Sequence, residues 1–393
     1  MVRVAAAAVV ALGLAACYSS NPGSGASSTR LSSPGAGPVT NAGSKASDLR
    51  TRLDLLLAEH VIVVAKESVA AAYHSDEYAG YAGLLTTNGS ALAGVMRSAF
   101  GNSAATQFEQ VWAVHDGSFV DYAIGLVTHN DTKSNGAMSA LLNGYVPQFA
   151  RFVTDTTQLP LDPMTQLATD QVLETKAVID DQAAQDYPAM YADLRTAYAH
   201  SARIGDALAS RMVQKFPDKF PGNPSTNAVD LRVILNDLLQ EHAYLATMAT
   251  DAIAAGREGE QTAASSALTA NADALGTALR RLLGNTAGTR FAQLWSARDA
   301  GLVAYATSAD AGEKQRLAGS FVSQFANLVN SPSGLGAAVH DQVLATIKVI
   351  DDQRAKAFAP LAGDDRAAAA AMQPIADAIV AAAVAQRSAE LGA

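Results

Sequence analysis

The feature that most constrains this chain is that it repeats itself. Residues 49–60 match residues 231–242 at seven of twelve positions: Leu49, Arg50, Leu53, Leu56, Leu57, Glu59 and His60 return as Leu231, Arg232, Leu235, Leu238, Leu239, Glu241 and His242. A second block, with Gly101, Asn102, Phe108, Gln110, Trp112, Asp116, Val120 and Tyr122, returns 183 residues on as Gly284, Asn285, Phe291, Gln293, Trp295, Asp299, Val303 and Tyr305. A third, Gln171-Val172-Leu173 with Val178-Ile179-Asp180-Asp181-Gln182, returns 171 residues on at Gln342 and at Val349 to Gln353. Three blocks in one order mean two copies of one unit. The shorter last offset means that the second copy lacks about a dozen residues between its second and third blocks.

The blocks have helical period. Leu49, Leu53, Leu56, Leu57, His60 and Val64 fall on one face, with Ser47-Asp48 as the expected cap; Phe108, Trp112, His115, Phe119 and Tyr122 form another face. Breakers stand at Asn130 to Asn135, at Pro160 to Pro163, and from Pro217 to Pro224, the expected boundary between copies. Alanine is abundant, aromatic residues are only 6%, and no stretch alternates as a strand would. The expectation is an all-α protein of two tandem, pseudo-symmetric antiparallel helical bundles of about five helices each, residues 47–222 and 223–393. The Ala-rich stretch from Ala367 to Ala385 contains Gln373, Pro374 and Asp377, and reads as a final packing helix rather than a membrane segment.

The N-terminus carries an address. Arg3 precedes an uncharged run of 13 residues, Val4 to Ala16, which matches a secretory signal and falls short of the roughly 20 apolar residues a spanning helix needs. Leu14-Ala15-Ala16-Cys17 resembles the bacterial lipobox, which implies that Cys17 is acylated and becomes the first mature residue. Residues 1–16 are then a signal peptide, and residues 17–46, rich in Ser, Gly, Pro and Ala, a lipid-anchored flexible tether. That places the body at the extracytoplasmic face of the cell membrane. Cys17 is the sole cysteine, so the chain has no internal disulfide and no cysteine-based metal site. The net charge of −9 becomes −10 without Arg3, which gives no electrostatic footprint for nucleic acid or for anionic lipid.

The repeat sorts the histidines into slots. Slot one holds His60 and His242, each after a glutamate; slot two, His115 and Arg298; slot three, Thr169 and His340; slot four, His200 and Ala371. His74 and His129 lie near expected helix ends and read as surface residues. Two readings of the inward polar groups stand open. In one they form an interior network, with Glu59 paired to His115 and Glu241 to Arg298. In the other, His60, His115 and His200 bind a transition metal or haem, with Glu59, Asp116 or Asp181 as outer partners. Only His242 and His340 survive in the second copy, and Arg298 cannot ligate a metal. The paired carboxylates Asp180 and Asp181, and Asp351 and Asp352, suit a cation site or acid–base work. Their recurrence in both copies fits a fold-determining role better. No Glu-x-x-His, Gly-x-Ser-x-Gly, P-loop or dinucleotide fingerprint occurs.

Leu-x-x-Leu-Leu-x-Glu-His, Phe-x-x-x-Trp-x-x-His and Val-Ile-Asp-Asp-Gln together resemble a family of exported, twice-repeated helical proteins of actinobacteria and related Gram-positive bacteria, over nearly all of residues 48–393. The resemblance implies the fold and the envelope location and brings no activity with it. The family pattern has His at slots two and three, from which Arg298 and Thr169 depart. The expected function is a non-catalytic binding or interaction role, toward another envelope protein or a small ligand. Metal or haem binding in the first copy is the alternative, and an enzyme comes third.

Overall fold

The computed structural model describes residues 41–328 and 334–391. The expected signal peptide, Cys17 and the tether as far as residue 40 lie outside the described residues. Among the described residues every regular element is helical and none is a strand.

Ser44 starts the first long helix, α1 (Lys45–Ala72), by accepting a hydrogen bond from the Ser47 backbone N–H at 3.2 Å, and Asp48 stands in the first turn. The cap therefore lies three residues before the expected Ser47. The tether also ends sooner than residue 46. Asn41–Gly43 is a 3₁₀ turn, Ala42 and Ala46 are buried, and Arg232 donates to the Ala42 carbonyl at 2.9 Å. Small residues that look like linker in the sequence are ordered here by a partner 190 positions away.

The first copy continues through α2 (Tyr78–Phe100), α3 (Asn102–Val127), α4 (Asp131–Ser139), α5 (Val146–Thr157), α6 (Leu161–Ala184) and α7 (Tyr187–Lys215). A π-helical turn, Ala140–Tyr145, joins α4 to α5 without a break, so the copy has six rods. Asn130 to Asn135 is a helix start, Asn130 capping the Lys133 N–H. The α6–α7 turn has Gln185 at φ 57°, a left-handed position without a glycine to announce it. The second copy runs through α8 (Asn227–Ala254), α9 (Glu258–Leu283), α10 (Asn285–Ser308), α11 (Ala311–Gln315), a second π turn (Arg316–Phe321), α12 (Val322–Leu328), α13 (Leu335–Ala355), α14 (Phe358–Ala370) and α15 (Gln373–Leu391). The single α7 of the first copy corresponds to α14 and α15, split before Pro374. The stretch Phe358–Arg387 is long and apolar enough to cross a membrane, but half of its apolar window is buried in the protein, Ile375 and Ile379 completely.

α1 and α8 are buried on nearly every side, polar residues included, and form the centre. α1 packs against α2, α3, α6 and α7, and α8 against α9, α10, α13, α14 and α15; α1 and α8 also pack on each other. α7 touches α9, and α14 touches α2, so one compact unit contains both copies. The α1–α7 crossing is close. A Cβ on Gly205 would lie 2.8 Å from the Asp54 backbone nitrogen.

Polar contacts between the copies are reciprocal. Arg50 pairs with Asp206 of its own copy and Asp230 of the other. Its counterpart Arg232 pairs with Asp377 of its own copy at 2.8 Å and Asp48 of the other at 2.7 Å. Glu59 takes Arg366 at 3.0 Å, and Glu241 takes Arg195 at 2.8 Å, each arginine from the other copy. Such exchange, in which i meets j and j meets i, is the mark of an isologous contact. The two copies relate as the halves of a dimer joined in one chain.

Candidate functional site

The polar interior follows the repeat residue by residue. Asn88 on α2 donates to the Leu56 carbonyl at 2.9 Å and to Glu59 at 2.8 Å; Asn271 on α9 donates to the Leu238 carbonyl at 3.0 Å and to Glu241. Tyr122 donates to Asp180 and Tyr305 to Asp351, both at 2.6 Å. Gln182 reaches the Ala65 carbonyl and Gln353 the Thr247 carbonyl. The first aspartate of each Asp-Asp pair thus ties α6 to α3 or α13 to α10. The second faces the next helix: Asp181 stands against Asp193 on α7, and Asp352 shares Lys348 with Asp364 on α14. The four aspartates form no common cation site.

Glu59 and Glu241 are engaged by asparagine and arginine. The expected pairs Glu59–His115 and Glu241–Arg298 are therefore not formed. His115 instead faces Asp116 through Nδ1 at 3.0 Å and Gln171 through Nε2 at 3.3 Å. Arg298 does the same work in the second copy, donating to Asp299 at 3.1 Å and Gln342 at 2.8 Å. Both side chains at slot two are fully buried.

The copies differ at slot one. His242 has an acceptor at each ring nitrogen, Asn271 Oδ1 at Nδ1 and Asp299 at Nε2, both at 2.9 Å. His60, equally buried, has a hydrogen-bond partner at neither nitrogen. Its ring stacks on His115 at a centroid distance of 4.9 Å and tilts against Trp112 at 4.8 Å. Burial, with the neighbouring His115, pushes the His60 imidazole well below its ordinary range, so it is neutral and keeps a lone pair. Burial also raises the Asp116 carboxyl, against the pull of His115.

His60, His115 and Asp116 each offer one ligand atom, all within 4.8 Å of one another. His60 Nε2 lies 3.7 Å from Asp116 Oδ1, and His115 Nδ1 lies 3.0 Å from the same oxygen. Tetrahedral zinc at about 2.0–2.1 Å from each ligand sets ligand atoms roughly 3.4 Å apart. The two distances to Asp116 lie on either side of that spacing. His200, expected as the third ligand, is not part of it: it pairs with Glu174 at 2.7 Å. His340 is half exposed beside Asp341, and Thr169 turns its hydroxyl back to the Thr165 carbonyl. Haem has no room, because the interior cavity beside His60, walled by Trp112, Tyr145 and Phe149, is about 10 Å³. Tyr145, from the π turn, lies 4.2 Å from the His115 ring and closes that side.

On the other side Asp116 opens into a groove of about 610 Å³ between α1, α2 and α3. Glu67, Glu109, Asp116 and Asp121 line it, with no basic side chain in its wall. Burial, followed by the charge of Asp116, pushes the Glu67 carboxyl up to about 7. Sequence reasoning missed Glu67 and Asn88, although both had a signal. Glu67 is seven residues, two helical turns, beyond His60. Extending the 183-residue offset back from Gly101 aligns Leu85, Asn88 and Leu92 with Leu268, Asn271 and Leu275. Gln171 and Gln342, within the third repeated block, went unweighed as partners of slot two.

No protein-family model, curated protein or solved structure matches this chain.

Proposed function

We propose that this protein is a cell-envelope lipoprotein, anchored through Cys17, that binds a divalent transition metal non-catalytically through His60, His115 and Asp116. The observation that carries the reading is a difference between the copies at slots one and two. In the second copy a built-in cation, the Arg298 guanidinium, sits between Asp299 and Gln342. In the first copy His115 Nδ1 faces Asp116 at 3.0 Å, and His60 stands beside them with an unused lone pair. A nitrogen and a carboxylate oxygen that close need a proton or a metal between them. Two imidazoles and one carboxylate suit zinc, and leave one position open toward the acidic groove.

The orphaned atoms support the same reading. Asn88 Oδ1 and His60 Nδ1 both lack partners, whereas the equivalent Asn271 Oδ1 and His242 Nδ1 meet at 2.9 Å. A metal on His60 Nε2 fixes the Nδ1–H tautomer, for which Asn88 Oδ1 is the acceptor at hand. Of the groove carboxylates, Glu109 pairs with Arg97 and Asp121 with Lys133, which leaves Glu67 and Asp116 to meet an incoming cation.

The test is titration of the full-length, chelator-treated protein with Co(II) and Zn(II), followed by d–d absorption and calorimetry. The expected result is one ion per chain, lost in His60→Ala and Asp116→Asn and kept in His200→Ala. A folded protein that takes up no ion would overturn the proposal, and leave His115 as a hydrogen-bond donor to Asp116 and nothing more.

A further inference from the structure

A second pocket, of about 300 Å³, lies between the copies, where the α1–α2 and α8–α9 turns meet the α6–α7 turn. It shares no residue with the His60 cluster. Its volume is at the lower end of small-molecule sites, roughly 300–1,000 Å³. Two turns at its rim occupy equivalent positions of the repeat, and both use the left-handed region, at His74 (φ 53°) and Gly256 (φ 70°).

The charges in its wall do not balance. Arg257 is taken up by Asp251 and Glu260, both at 2.6 Å. Lys66 is taken up by the buried Asp365, which also accepts from Tyr81 and Thr247. Both cations are thus held by carboxylates, and Glu77 is left without an ion pair among the described residues. Burial, followed by the charge of Asp251, pushes the Glu77 carboxyl up to about 7 against the pull of Lys66 and Arg257. Tyr73 and Tyr187 add aromatic faces, the Tyr81 ring being covered by Lys66, and Met190 and Met248 a polarizable floor. Carboxylates, tyrosine rings and methionine in one small cavity are what an organic ammonium ion needs, as ion pair and as cation–π partner.

We propose that this pocket binds a small organic cation of the alkylamine class, its ammonium group against Glu77 and its carbon chain between the tyrosines and Met248. Anions are disfavoured because Lys66 and Arg257 are already committed. The proposal stands apart from the metal reading, since none of its residues lies in that cluster.

The experiment is calorimetric titration of the full-length protein with butylamine, 1,4-diaminobutane, choline, glycine and butyrate. Saturable binding of at least one of the two alkylamines, and none of butyrate, is expected. Glu77→Gln should weaken that binding at least tenfold. Met248→Trp, which fills the cavity and leaves Glu77 in place, should abolish it. Cobalt uptake serves as a folding control in both variants, and circular dichroism replaces it if the wild type takes up no metal. Absence of amine binding, a preference for butyrate, or unchanged affinity in folded Glu77→Gln protein would overturn the proposal.

Discussion

Replacing Arg298 by His gives the second copy the ligand types of the first. His242 and Asp299 are in place, their closest atoms 2.9 Å apart, and Asn271 already orients the His242 ring. Without metal the change is destabilising. Arg298 is fully buried and bonded to Asp299 and Gln342, and removing one partner of such a pair costs about 3–5 kcal/mol. An imidazole can keep both contacts, as His115 does, which reduces the loss to about 2–3 kcal/mol. Zinc at a hundred times its Kd restores about 2.7 kcal/mol per site. The variant should therefore unfold at lower urea in chelator, recover near-wild-type stability in zinc, and bind two ions per chain where the wild type binds one. Equilibrium dialysis with metal analysis gives the count, and urea melts with and without zinc give the energies. One ion on a folded variant, or two on the wild type, would refute the idea that Arg298 stands where a metal would.

Four further outcomes are expected. His60→Leu removes two buried, unpartnered nitrogens, so the metal-free protein should gain about 1–2 kcal/mol in urea melts while metal uptake is lost. Arg232→Met breaks the contacts to Asp377, Asp48 and Ala42; with Asp48 largely exposed, the loss should be about 2–3 kcal/mol, seen in the same assay. Glu77 has a folded pKa of about 7 against 4.5 for the free group, so its share of stability is complete below pH 4.5 and disappears as pH rises through 7. Wild type should lose on the order of 1–2 kcal/mol more than Glu77→Gln between pH 5 and 8, after allowance for screening. Cys17→Ser should move the protein from the membrane fraction to the soluble fraction of its native host, and unchanged fractionation would remove the lipid anchor from the proposal.

The helices and the pairing of positions between copies were legible in the sequence, because periodicity and repetition are properties of the chain itself. Phe108–Trp112 and Phe291–Trp295 stack in the same way, at 5.0 and 4.9 Å, as their shared spacing implies. The turn glycines Gly101 and Gly284 likewise share a left-handed φ, 90° and 87°. Helical period also put His60, His115 and Arg298 on inward faces, and all three are buried.

Partnership was not legible, because a helical pattern tells which way a side chain points and not what stands opposite. Glu59 and His115 both face inward, yet Glu59 meets Asn88, Tyr244 and Arg366, and His115 meets Asp116 and Gln171. His200 also turns inward, but α7 carries it to Glu174, away from His60. Only the packing of α1 on α3 brings His60 to the His115–Asp116 pair, and only the packing of α1 on α8 lets each copy lend its arginines to the other. Sequence determined the units and their inward residues, since local backbone geometry suffices for both. Tertiary structure decided which charges are met and which are left over, since that depends on contacts between residues far apart in the chain.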